Sequence, residues 1–372
     1  MRIKRQATKK ADRPLRFGVM FFLPKCRDFA MRPLLHPTLL NGRSGDPVVC
    51  LETLFERQII LFDLGSVDLL SPRQIQRIEH IFVSHAHVDH FFGFDRVLRL
   101  LIGRQKQIHL YGPPNFANHV WHKLHGYCWN LAASYACDLS FVVTEIEPSL
   151  AMRTVVFRLK NAFAPEEISY EPSADGLLLK SPTFRVYAAL LDHRTPCLAF
   201  AIEEVAHVNI WKTELARRGL PVGPWLHELK RAVLEGASDA HRVKIAGGVE
   251  ERGYEMELGA LRDVYRVERG QKIGYVTDIA DTDKNRRKVI RLVDQADILF
   301  IEAPFAGEDA ALAAERAHLT TVAAGEIARA AKVRHVEPFH FSPRYEGLEQ
   351  RMLAEVAAAF AGSDTEAESN ET

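Results

Sequence analysis

The sequence predicts an α+β protein built as two β-rich halves, each followed by helices. Three observations lead to it. The chain has 372 residues, 47% apolar and 26% charged, the balance of a globular protein. A chain of that length buries roughly three quarters of its unfolded surface and needs no disulfide to hold a core. Short apolar runs and amphipathic stretches alternate along it, until residues 205–245 interrupt the second half as an insertion.

Each element follows from its pattern. Runs 58–62 and 78–84 are apolar and bounded by polar residues, as buried strands are. Helices are expected over 95–102 and 116–132, the latter with Trp121, Leu124 and Cys128 at helical spacing. Strands follow at 141–146, 154–159, 184–191 and 198–202. Residues 205–245 read as helical or irregular. Strand 272–277, helix 284–293, strand 297–301, helix 321–331, strand 335–339 and helix 348–360 complete the second half.

Composition narrows the function. The 48 Lys+Arg against 48 Asp+Glu give a formal charge of zero, which argues against a basic nucleic-acid coat but not against a local patch. No apolar stretch reaches the roughly 20 residues that span a bilayer, so no membrane partner is expected. Cys26, Cys50, Cys128, Cys137 and Cys197 form no C-x-x-C pair and read as free thiols of a reducing cytoplasm. Residues 1–16 are a basic tail, either solvated or gripping nucleic acid. The apolar run after them, Phe17 to Leu23, is short, stops at Pro24 and lacks a small-residue cleavage site, so no signal peptide is expected. Residues 363–372 are acidic and expected to be disordered.

The chemistry concentrates in S-H-A-H-V-D-H at 84–90. This follows a predicted strand, so alternation puts His85 and His87 on one side. Asp89 and His90 come where the chain turns into the next helix and face a second position nearby. Three imidazoles and a carboxylate this close make a metal-ligand set suited to zinc, manganese or iron. A surface histidine cluster is the alternative, and the buried strand before it argues against that. Three further residues end or follow apolar strands: His193 before R-T-P, Asp278 closing G-Y-V-T-D, and His340 in F-H-F-S-P-R-Y. Taken singly, each is also an ordinary structural residue. Asp63, closing I-I-L-F-D, is either a turn aspartate before Gly65 or a buried support for the site.

In order, F-D-L-G at 62–65, H-A-H-V-D-H, L-D-H-R-T-P at 191–196, Y-V-T-D at 275–278 and F-H-F-S-P-R-Y at 339–345 resemble the metallo-β-lactamase-fold hydrolases. The last resembles their ribonuclease Z branch. The resemblance implies a four-layer αβ/βα sandwich over residues 17–362, with an insertion at 205–250. It implies two divalent ions, Zn2+ first, with Mn2+ or Fe2+ as alternatives. His85, His87 and His193 would hold one, Asp89, His90 and His340 the other, and Asp278 would bridge them. Such a pair leaves room for a bridging water whose pKa falls toward neutrality, which suits phosphodiester hydrolysis. The resemblance also implies catalytic roles for Asp89, Glu302 and His318. It implies a tRNA precursor as substrate, cut at its 3′ trailer, and a homodimer in which each arm serves the partner's site. Ser342 and Arg344, with Gly223, Pro224, Lys230 and Arg231 of the insertion, are the substrate-binding candidates. Lys212, Arg217 and Arg218 are further phosphate contacts.

Two departures open an alternative. Ile301, in F-I-E-A-P-F, stands where the branch has a histidine that assists proton transfer. Such assistance is worth about 10²–10⁴-fold, and isoleucine donates no proton. The Gly-rich opening of the branch is also absent. These favour a hydrolase of a small phosphodiester, sulfate ester or lactone, with the insertion as a helical lid packed by Trp211, Trp225 and Leu229. A non-catalytic RNA-binding module is a third reading, disfavoured by the complete ligand set.

Overall fold

The first half is a sheet in chain order: β1 (Leu35–Leu39), β2 (Val49–Thr53), β3 (Ile59–Phe62), β4 (Ile78–Phe82), β5 (Lys106–Gly112), β6 (Leu139–Ile146), β7 (Met152–Arg158) and β8 (Pro165–Glu171). The computed structural model that shows it describes residues 33–54, 57–149, 151–172, 175–245 and 253–362. The basic tail 1–16, Cys26 and the acidic tail 363–372 lie outside the described residues. Strands β3 to β6 are parallel and the flanking ones antiparallel. Parallel neighbours need crossovers. These carry α1 (Pro72–Ile75), α2 (Val88–Phe91), α3 (Phe94–Leu101) and α4 (Phe116–His125). Helix α4 is shorter than the expected 116–132. It caps at Gly126, and the Trp129 indole folds back to donate to Leu124 O, which leaves Cys128 exposed.

The second half begins with β9 (Leu177–Lys180), β10 (Phe184–Asp192) and β11 (Pro196–Glu204). The insertion then supplies β12 (His207–Ile210), α5 (Lys212–Arg217), α6 (Trp225–Leu234), β13 (Arg242–Ile245), β14 (Tyr254–Glu257) and β15 (Tyr265–Glu268). The sheet resumes with β16 (Lys272–Val276), α7 (Asp283–Val293), β17 (Ile298–Glu302), α8 (Ala310–Arg316), α9 (Thr321–Ala330), β18 (Val336–Phe339) and α10 (Glu349–Ala361). Its strand order is β18-β17-β16-β11-β10-β9.

Alternation along the strands creates the layers. On β3, Ile60 and Phe62 face one way, Ile59 and Leu61 the other. The inner faces of the two sheets meet in a core that includes Phe62, Phe82, Phe200, Tyr275 and Phe339. The outer face of the first sheet packs Leu61, Ile81 and Phe141 against Phe94 of α3 and Phe116 of α4. The outer face of the second packs Val276, Leu299 and Ile301 against Val289, Ile327 and Val356 of α7, α9 and α10. The result is the four-layer αβ/βα sandwich of the metallo-β-lactamase fold. Among the described residues, no helix is long and apolar enough to cross a membrane.

The insertion joins β11 to β16 and so spans 205–271, longer than the expected 205–250 and only partly helical. β12 pairs with β15, and β13 with β14. These short strands alternate with charged residues and carry no apolar run to announce them. Leu215, Trp225, Leu229, Val243 and Leu261 give the insertion its own core, whereas Trp211 is 49% exposed and is not a packing residue. Glu203 pairs with Lys272 at the end where the insertion leaves the sheet. His193 lies just before the other end of β11, a strand of 9 residues that spans about 26 Å. The insertion therefore springs from the end of the sheet opposite His193.

Candidate metal centre

Strand ends from both halves form the site. β4 stops at Phe82, and Val83-Ser84 lead into His85. His87 caps α2, whose single turn carries Asp89 and His90. His193 sits in the tight turn of the β10–β11 hairpin, where Asp192 pairs with Pro196. Asp278 follows β16 and His340 follows β18. Asp63 (φ 57°), Asp278 (φ 43°) and His340 (φ 63°) all take left-handed backbone, which a Cβ disfavours. Strain of this kind is held at functional sites by the structure around it. The loops also touch backbone to backbone: a Cβ at Gly65 would lie 2.6 Å from Asp89 O.

Asp278 is at the centre. Its Oδ2 lies 3.5 Å from His85 Nε2, 3.3 Å from His90 Nε2 and 3.6 Å from His193 Nε2, and its Oδ1 lies 2.9 Å from His340 Nδ1. The donor atoms of His85, His87, His193 and Asp278 lie within 4.8 Å of one another, as do those of Asp89, His90 and His340. An overlapping group unites Asp278, Glu302, His318 and His340. Among the described residues, His85 Nε2, His90 Nε2 and His340 Nδ1 are buried, and their approaches to Asp278 lack hydrogen-bond geometry. A buried polar atom left so costs about 1–3 kcal/mol. Unpaired ring nitrogens gathered around one carboxylate are the donor set a pair of divalent cations takes, so the residues fit that group.

Hydrogen bonds behind the donors aim the rings. Asp63 Oδ2 accepts from Ser84 Oγ (2.8 Å), Tyr275 OH (2.7 Å) and His90 Nδ1 (2.7 Å), and its Oδ1 accepts from Ser84 N (2.6 Å). His90 is thereby left with Nε2 toward Asp278. His193 Nδ1 does the same by donating to Ala317 O at 2.8 Å. Burial pushes His85 down to about 2, reinforced by His90, so its ring is neutral as a ligand must be. Burial opposes charge on His90 and His340, but the surrounding carboxylates together hold both well above the usual range: Asp278 and Asp63 at His90, and Asp278, Asp89 and Glu302 at His340. For Asp278, burial is outweighed in turn by His340 and His90, which hold it well below the carboxylate range.

A cleft of about 650 Å³ opens onto the cluster. His87, Asp89, His193, Asp278, His318 and His340 line it, with Ser342 and Arg344 of the closing motif. Arg316 and Phe305 line it too; nothing in their local sequence announces them. His318 Nδ1 lies 2.7 Å from Glu302 Oε2. Burial would lower the His318 pKa, but Glu302 outweighs it and raises it. Ile301 is elsewhere: it is fully buried in the helix-facing core, on the face of β17 opposite Glu302. A side chain at 301 on this strand points into that core rather than into the cleft. Gly223, Pro224, Lys230 and Arg231 are not among the residues that line the cleft of their own chain. Arg217 and Arg218 pair with Asp263 inside the insertion.

No family model matches the chain. Among solved structures, it aligns with human tRNase Z, short form, at 18% identity and a TM-score of 0.46, over 83% of this chain and 91% of that one. With the metallo-beta-lactamase fold protein YhfI from Bacillus subtilis it shares 15% identity at a TM-score of 0.49, over 88% and 95%. It is 29% identical over 322 residues to the Ribonuclease Z of Crocosphaera subtropica, 83% of this chain and 86% of that protein. It is 32% identical over 303 residues to the Ribonuclease Z of Deinococcus radiodurans, 81% of this chain and 87% of that protein. With that identity carried over most of both chains, the protein belongs to the ribonuclease Z family.

Proposed function

We propose that the chain is a two-metal endoribonuclease that removes the 3′ trailer of precursor tRNA. Family membership makes it a hydrolase of the ribonuclease class. The observation that carries the finer reading is the convergence of histidines and carboxylates on Asp278, in a chain 32% identical to a ribonuclease Z. His85, His87 and His193 would hold one divalent cation, and Asp89, His90 and His340 the other, with Asp278 shared. Zinc suits this nitrogen-and-oxygen set, and manganese or iron also accept it. Bound there, the ions supply a nucleophile at neutral pH and neutralise charge growing on the phosphoryl oxygens.

The remaining work belongs to the chain. His318, whose pKa Glu302 raises, faces the cleft and donates to the leaving oxygen. Asp89, at the cleft wall, takes up the proton released by the attacking water. Ser342 and Arg344 hold the phosphate beside the cut. Gly223, Pro224, Lys230 and Arg231 grip the RNA farther away. Because the insertion springs from the end of its sheet opposite His193, that grip serves the site of a second copy in a homodimer. The unpaired cysteines among the described residues fit a cytoplasmic protein. The small-substrate alternative draws less from Ile301, whose side chain lies in the helix-facing core.

The test is cleavage of a 3′-extended precursor tRNA by metal-loaded protein, with Asp278→Ala as control. Cleavage near the foot of the acceptor stem, abolished in a variant with an unchanged circular-dichroism spectrum, is the expected result. Hydrolysis of bis(p-nitrophenyl) phosphate without any RNA cleavage would overturn the tRNA reading in favour of the small-substrate one.

A further inference from the structure

Helix α7 carries a charge pattern that its own stability does not explain. Its sequence, D-K-N-R-R-K-V-I-R-L-V, holds Lys284, Arg286, Arg287, Lys288 and Arg291 against the acid Asp283, in a chain that is neutral overall. Arg286 is accounted for by Asp281 and Glu326. The other four stand at i, i+3, i+4 and i+7, on one face of the helix, opposite the buried Asn285, Val289 and Val293. All four are exposed. Lys288 donates to Leu190 O. Burial lowers its pKa, and the neighbouring Lys284 lowers it further. Among the described residues, Lys284, Arg287 and Arg291 pair with no carboxylate.

Three terms oppose this arrangement. Like charges three and four residues apart repel. Lys284 sits in the first turn, where the helix dipole disfavours a cation. Among the described residues, no carboxylate pairs with the face. An anionic partner lying along it removes all three at once.

The face also begins at the candidate metal centre. Asn285 clamps the first turn of α7 to the loops that carry Asp278 and His193. Its Nδ2 donates to Ala280 O (2.9 Å) and Asp192 O (2.8 Å), and its Oδ1 accepts from Asp192 N (3.2 Å). From Lys284 to Arg291 the helix rises about 10 Å away from that clamp. We propose that Lys284, Arg287, Lys288 and Arg291 form a phosphate track that binds the sugar-phosphate backbone of the RNA flanking the cut. This rests on the ribonuclease reading above. An anionic membrane fits less well, because α7 exposes no large apolar side chain to insert.

The experiment compares three full-length, metal-loaded proteins: wild type, K284Q/R287Q/R291Q, and the charge-matched control R99Q/R104Q/K160Q, altered at exposed positions of the first half. Affinity for a precursor tRNA is read by fluorescence anisotropy across a salt series. The α7 variant should bind roughly tenfold more weakly near 0.1 M salt, with a log–log salt slope shallower by about 2–3. The control should stay within about twofold of wild type. Glutamine keeps helix propensity, and an unchanged melting temperature confirms the fold. Equal affinity and slope in the α7 variant and the control, while wild type cleaves RNA, overturn the track alone. Binding of wild type to anionic vesicles but not to RNA overturns it too. Wild type that hydrolyses bis(p-nitrophenyl) phosphate yet neither binds nor cleaves RNA removes the ribonuclease reading and the track together.

Discussion

At the scale of single residues, Tyr275 shows how one hydroxyl couples the two halves. Its ring stacks on Phe62 and Phe339 in the inner core, where a phenylalanine would pack as well. Its OH crosses from the second sheet to Asp63 of the first, and Asp63 orients His90. Burial, with Asp63 beside it, holds the phenol well above its usual pKa, so it remains a donor. Tyr275→Phe removes this bond and keeps the packing. Asp63 then lacks one donor, and the tether on His90 loosens. Supports of this kind are worth about 10–100-fold in metal affinity. The variant should keep its fold and one tightly held ion, and bind the second about 10–100-fold more weakly in a calorimetric zinc titration. Two unchanged affinities would show that Ser84 alone positions Asp63. The candidate ligands are legible in the sequence because H-A-H-V-D-H packs so many donors into so few residues. Their supports are not. A serine at a strand end and a tyrosine in an apolar strand are ordinary, and only the fold brings Tyr275 to Asp63.

Elements divide in the same way. α7 and β10 carry clean apolar patterns and lie within a residue of where the pattern puts them. β5 is masked by Lys106, Gln107 and His109, and β1 by Pro37, a residue that edge strands tolerate. The insertion strands are too short and too charged to read as strands. The insertion is nonetheless a packing unit of its own, since its core shares no residue with the three cores of the sandwich. Leu229 is fully buried in it, and truncating such a leucine to alanine costs about 2–5 kcal/mol. Leu229→Ala should therefore abolish hydrogen-exchange protection in β12 to β15, α5 and α6 and leave β4, β16 and β18 protected. Loss of protection spreading to those three strands would mean that insertion and sandwich form one cooperative unit.

For the whole molecule, the decisive fact is that neither half holds the site alone. His85, His87, Asp89 and His90 come from the first sheet, and His193, Asp278 and His340 from the second. Ordered motifs in the sequence announce that division. They do not announce which face of β17 looks into the cleft, because a step of one residue along a strand reverses its side; Glu302 faces the site and Ile301 the helix-packed core. Ions that bind groups from both halves bind only the folded chain, so they stabilise it by mass action, by about 2.7 kcal/mol at a hundredfold excess over Kd. For a domain of this size that is roughly 3–6 °C in melting temperature. Chelation should lower the melting temperature by that amount, and added zinc should restore it. Asp278→Ala should lose the zinc-dependent rise, since Asp278 belongs to two of the three donor groups and touches His90 of the other. His318→Ala tests the arrangement further. If His318 is a proton donor, the rise survives its removal. If the rise is lost, an ion sits instead among Asp278, Glu302, His318 and His340, and the proton for the leaving oxygen must come from Asp89.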